Sequence, residues 1–235
     1  MSVKKFPFDD DVLNALEASL SPERMATYIQ KAEGDRELAL RFYTWNTAIS
    51  AAFYGPLQGL EIALRNSMHS QLSVTYGQDW YDQLSTGLDA GALRRVEDAK
   101  RKLTKGSYPI DPPHMVAELP FGFWVSLLGR GGRSAGGGGQ RMSYEMTLWR
   151  PALHKAFPHS RRNRRDTHQP LDYLRTFRNR IAHHEPIFDR HLERDFASII
   201  NVTQWICPKT ADWIQHHSRV DDLLGHDRLG EGLLF

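Results

Sequence analysis

Along residues 56–76, Leu57, Leu60, Leu64, Met68 and Leu72 recur at spacings of three and four. Near the other end, Leu171, Leu174, Phe177, Ile181 and Ala182 do the same. This is the period of an α-helix burying one face. Helix punctuation is dense along the chain and strand punctuation nearly absent. Ser21 before Pro22 predicts an N-cap and a first helical residue, and Gly34 ends that helix. Further helices are predicted over 35–53 and 56–76, separated by Tyr54-Gly55-Pro56, and over 89–105. Residues 114–128 read as a helix broken near Pro120, followed by helices at 142–157, 170–184, 189–206 and 209–217. The fold class is therefore all-α, and without a linker-like boundary residues 1–235 read as one helical domain.

On a wheel of residues 170–184, Asn179 and His183 share a polar face with Asp172 and Thr176. Arg178 falls inside the apolar stripe, between Leu174 and Ala182. A guanidinium placed there must snorkel outward or find a carboxylate or phosphate. Pro186 disfavours helical geometry at Glu185, so the helix is expected to end within a turn of His183. In the 56–76 helix, Glu61 lies on the apolar side and Arg65 at its edge, four residues on. Glu61 pairs either with Arg178, in a polar centre between packed helices, or with Arg65 alone.

Composition changes this picture little. The chain is 235 residues long with a formal charge of +2, and its single cysteine excludes an intramolecular disulfide. No signal-peptide pattern is visible and the longest strongly apolar stretch, 121–128, is too short to cross a bilayer; the expectation is a cytoplasmic protein with no membrane partner. The distribution of charge says more. Arg161, Arg162, Arg164, Arg165, Arg175, Arg178 and Arg180 face only Asp166 and Asp172 over residues 161–180, and a second basic run extends from Arg94 to Lys105. Such clusters attract phosphate backbones, although a solvated helix face has the same composition. Residues 129–141 are glycine-rich but lack the flanking strand and Lys-Ser/Thr of a phosphate loop, and read as a flexible loop.

Five stretches carry a family resemblance. Phe53-Tyr54-Gly55-Pro56-Leu57, Glu61-Ile62-Ala63-Leu64-Arg65-Asn66 and Tyr76 to Tyr81 resemble the first half of Abi-like (abortive infection) proteins. Leu119 to Leu128 resembles their middle. Leu174 to Phe188, containing Arg178-Asn179-Arg180-Ile181-Ala182-His183-His184, resembles their signature, and the likeness spans roughly residues 35–205. These proteins belong to the HEPN superfamily. The resemblance implies a HEPN-like helical bundle with additional helices. It also implies a metal-independent endoribonuclease acting as a toxin or in phage defence, and a homodimer whose two motifs face each other in one site. By that resemblance the catalytic residues are Arg178, Asn179 and His183, supported by Glu61, Arg65, Asn66 and His184. Arg161, Arg162, Arg164, Arg165, Arg175 and Arg180 are the RNA-binding candidates, and no cofactor is implied.

The chemistry suits these residue types. RNA carries its own nucleophile, the 2′-hydroxyl, so an enzyme need only move protons and stabilise the charged phosphorane-like transition state. Histidine titrates near neutrality and can act as base or acid. Arginine donates a fork of hydrogen bonds to phosphate oxygens. The expected product is a 2′,3′-cyclic phosphate. A metal site is not expected: His183, His184 and Glu185 are adjacent on a helix and point about 100° apart. His184 reads instead as a surface residue, a helix-end cation or a dimer contact. Arg65-Asn66 with His69 echoes the motif only faintly, and Trp80, Trp124, Trp149, Trp205 and Trp213 read as core or interface residues. A non-catalytic HEPN module that binds RNA or a protein is the alternative. Control by tyrosine modification is disfavoured because Glu185 stands two residues after His183; a small-RNA or protein antitoxin stays open as a partner.

Overall fold

In the computed structural model, residues 6–135, 140–230 and 233–235 are described. Among them ten α-helices and no strand are found; the one β-feature is an isolated antiparallel bridge between Arg133 and Arg141. The helices are α1 (Asp10–Leu20), α2 (Pro22–Lys31), α3 (Arg36–Tyr76), α4 (Ala90–Lys105) and α5 (Pro112–Glu118). They continue with α6 (Phe121–Ser126), α7 (Arg164–Ala182), α8 (Leu192–Ile206), α9 (Pro208–His217) and α10 (Val220–Gly225). No helix among the described residues is long and apolar enough to cross a membrane. The all-α expectation holds, and α1 and α10 add to the helices read from the sequence.

Three boundaries differ, each for a physical reason. Tyr54-Gly55-Pro56 does not interrupt α3, which runs through Pro56. Proline disfavours a helical neighbour mainly by a clash with that neighbour's Cβ, and Gly55 has none. No α-helix fills 142–157, where Pro151 lacks the N–H that would continue one. Instead Glu145–Trp149 forms a π-helical turn, closed by Arg150 N donating to Glu145 O at 3.1 Å, and Leu153–Ala156 a 3₁₀ turn. Finally, α7 begins at Arg164 and not at Pro170. Asn163 caps it, Oδ1 accepting from Asp166 N at 2.9 Å while Nδ2 donates to Asp166 Oδ2 at 2.8 Å. This reciprocal cap extends the helix into the arginine-rich run before Pro170, which lies outside the helices read from the sequence.

Backbone proximity divides the chain into two compact units. The first holds the described residues up to Gly55, Arg180–Phe196 and the described residues from His217 onward. In it Ser21 caps α2 as expected, its side chain accepting from Arg24 N. The core gathers Tyr28, Trp45, Phe53 and Phe188, with the Tyr28 ring 5.1 Å from Tyr43 and 5.3 Å from Phe188. Asp195, in the first turn of α8, is fully buried and bound bidentately by Arg190 at 2.8 and 3.0 Å.

The second unit is Pro56–Asn179 with Ala197–His216. The five predicted stripe residues of α3, Leu57 to Leu72, are all buried, as are Leu171, Leu174 and Phe177 of α7. Trp80 and Trp124 lie at its centre with ring centroids 5.7 Å apart. Trp149 and Trp205 are buried too, whereas Trp213 is exposed, which excludes the core half of its reading. Asp89 caps α4 through Ala92 N at 2.8 Å and also accepts from Gly132 N at 2.7 Å, pinning the start of the glycine-rich segment. Of that segment, residues 136–139 lie outside the described residues.

The buried Arg190–Asp195 pair generates a stability prediction. Asp195→Ala leaves a half-buried guanidinium without its carboxylate and should cost about 3 kcal/mol. Urea unfolding would show this as a lower midpoint; a midpoint unchanged from wild type would refute it.

Candidate active site

The end of α7 is built by its backbone. Glu185 N donates to Arg180 O at 2.9 Å and His184 N to Ile181 O at 3.0 Å, with His184 in the left-handed region at φ 56°. This is a Schellman termination, with histidine where glycine is usual and Pro186 preventing further helix. The helix thus ends at Ala182, within a turn of His183 as expected. Around the turn, Arg24 donates to His184 O at 2.6 Å and Arg180 to Pro186 O at 2.8 Å. Asn46 Oδ1 receives Ile187 N at 2.8 Å. All of these residues belong to the first unit. His183 itself is exposed, and so is Ala182, which the sequence placed in the apolar stripe.

Arg178 and Asn179 belong to the second unit. Arg178 escapes its apolar neighbours by reaching Glu61: Nε lies 3.8 Å from Glu61 Oε2, with 39% of the arginine and 21% of the carboxylate side chain exposed. Glu61 makes no such contact with Arg65 among the described residues, so the i, i+4 pair is not formed. Arg65 turns instead to the Ala117 carbonyl at 3.5 Å. Asn66 is exposed, and His69 accepts a hydrogen bond from Trp80 Nε1 at 3.0 Å, a structural role in the core of the unit.

Arg178 and Asn179 line a cleft of about 610 Å³ together with Arg95, Arg130, Arg175 and His168. Asp89 and Asp172 also line it, so four arginines face two aspartates. Asp89 is engaged in capping α4, and Asp172 accepts from Arg175 Nε at 2.8 Å. Arg95 donates to Ser126 Oγ at 3.0 Å. Among the described residues the side chains of Arg178, Asn179 and Arg130 make no hydrogen bond. The arrangement can therefore present several free donors, in excess positive charge, to one anionic group.

His168 is the residue that sequence reasoning misses. The signal was present: His168, Asp172, Arg175 and Asn179 stand at i, i+4, i+7 and i+11, within about 60° of one another on a helix. It was hidden because residues 161–169 read as a loop. Burial holds the His168 imidazole below the usual histidine range. Asp172 pulls the other way, and Arg164 and Arg175 add to the lowering.

The other basic candidates have separate fates. Arg164 is committed to structure, donating to Leu128 O at 2.7 Å and lying 3.1 Å from Glu145. Arg180 holds the turn after α7 and sits 3.4 Å from Glu185. Arg162 stacks over the Trp205 ring at 4.8 Å and, with Arg161, lines a second cavity of about 430 Å³. Arg165 is exposed. In the second basic run, Lys100 is paired with Asp82 and Glu97, Arg101 with Asp98 and Lys102 with Glu118. Among the described residues no three His, Cys, Asp or Glu side chains cluster so as to hold a metal ion.

Compared with known protein families, curated proteins and solved structures, the chain matches none. The strained histidine gives a test of the local reading. His184→Gly removes the left-handed penalty and should raise stability by about 1 kcal/mol. A lower melting temperature for that variant would show that the His184 side chain, not its backbone geometry, holds the turn.

Proposed function

We propose that the protein is a metal-independent endoribonuclease, cleaving RNA by attack of the 2′-hydroxyl to leave a 2′,3′-cyclic phosphate. The observation that carries this reading is the arginine cleft of the second unit, in which the side chains of Arg178 and Asn179 make no hydrogen bond among the described residues. A phosphodiester placed there would receive the guanidinium fork of Arg178, with Arg175 and Arg95 adding positive field. Charge that grows on the phosphorane-like transition state is stabilised by such fixed donors. Asn179 orients the phosphate; by the resemblance of residues 174–188, His183 is the residue that transfers protons as acid or base.

The resemblance of residues 174–188 to the Abi-like signature supports the same chemistry. It extends the proposal to a HEPN-like bundle, a homodimer carrying two motifs, and a cytoplasmic role as a toxin or in phage defence. Arg161, Arg162, Arg164, Arg165, Arg175 and Arg180 are proposed as the RNA-binding residues, with Arg164 and Arg180 also holding protein carbonyls.

Incubating the purified chain with total RNA in EDTA tests the proposal. Fragments ending in cyclic phosphate are expected, with Arg178→Ala and His183→Ala each lowering cleavage about a hundredfold or more while the melting temperature holds. RNA that binds with steep salt dependence yet yields no fragments would overturn it in favour of a binding module.

A further inference from the structure

We infer that His168 is the base that accepts the 2′-hydroxyl proton in the arginine cleft of the second unit, an inference that rests on the ribonuclease reading. His168 lies one turn before Asp172 on α7 and lines the same cleft as Arg175, Arg178 and Asn179. His168, Asp172, Arg175 and Asn179 occupy one face of a single helix, with Arg178 beyond its edge, so their relative positions are set by helical geometry and not by a mobile loop. The Nε2 edge of the ring faces Gly129: a methyl group on that glycine would sit 3.8 Å from it. Among the described residues the ring makes no hydrogen bond, so no protein group competes for its lone pair.

The charged groups around it favour the neutral ring. Asp172 is the nearby acid, but its carboxylate is shared with Arg175. Arg164 lies on the same helix, Arg95 and Asp89 come from the start of α4, and Arg130 follows α6. Burial and the arginines outweigh Asp172, and the imidazole is held below its ordinary value. A neutral imidazole at neutral pH is the form that can take a proton.

The step balances without a co-reactant. The 2′-hydroxyl proton passes to Nε2, the 2′-oxygen bonds to phosphorus, and the bond from phosphorus to the 5′-oxygen breaks. The departing oxygen takes up a proton from the acid, the role the ribonuclease reading leaves to His183, and the His168 imidazolium returns its own proton to solvent. The base and acid roles then need not both fall on His183.

The test is a pH–rate profile for cleavage of a short RNA in EDTA, using the full-length wild type, His168→Gln, His168→Ala and Arg178→Ala. Binding of the same strand carrying 2′-deoxyribose, which cannot be cleaved, is measured in parallel. For the wild type, cleavage should fall as pH drops through a pKa below 6.5, where His168 becomes charged. His168→Gln should lose about a hundredfold or more in rate and the acid limb with it, binding the deoxy strand within about twofold. Added imidazole should restore part of the rate to His168→Ala but none to Arg178→Ala. If His168→Gln keeps the wild-type rate and acid limb while Arg178→Ala is inactive, the base lies elsewhere and the inference fails with the ribonuclease reading intact. If the wild type yields no fragments at any pH, that reading fails and the inference with it.

Discussion

The second unit depends on the burial of one face of α7. Leu171, Leu174 and Phe177 have no measurable exposure, and each such side chain contributes about 1.5–3 kcal/mol when taken from water. Once that face is inward, the rotation of the helix is determined. His168, Asp172, Arg175 and Asn179 are then turned to the cleft, and Arg178 is left at the margin of the apolar stripe. There a charge cannot stay unpaired without cost, and Glu61 lies within reach. The polar side of α7 is thus a consequence of its apolar side.

Arginine is abundant along this stretch, and the positions divide by what their donors do. Arg164 and Arg180 satisfy backbone carbonyls and acidic side chains, and substituting them would loosen local structure. Among the described residues the side chains of Arg178 and Arg130 make no hydrogen bond, and Arg175 uses one nitrogen on Asp172. At a half-buried pair 3.8 Å apart the Coulomb attraction is moderate, so Glu61 can orient Arg178 without neutralising it. The cleft keeps an excess of positive charge because four arginines line it against two aspartates, one capping α4 and the other binding Arg175.

Backbone strain marks the other end of the motif. A histidine at φ 56° is uncommon, and the turn that contains it is secured by Arg24, Arg180 and Asn46 together. These hydrogen bonds belong to the first unit and fix the chain direction after Ala182. His183 is left exposed at the last turn, where a side chain is available to a ligand and makes little contribution to packing.

Local physics was legible in the residues themselves. The stripes of α3 and α7, the cap at Ser21, the break near Pro120 and the helix end before Pro186 follow from side-chain period and backbone sterics, which act over a few residues. Where competing local signals met, sequence reading failed. Gly55 relieved the proline that follows it, and Asn163 with Asp166 opened a helix inside an arginine-rich run. Contacts between residues distant in the chain could not be ranked from sequence: Glu61 had Arg65 at hand and Arg178 more than a hundred residues away. Only the tertiary structure decided that pairing, and only it placed His168 beside Arg130 and Arg95 in one cleft. The reason is that a helical period fixes which side chains share a face, whereas the partner of that face is chosen by packing of the whole unit.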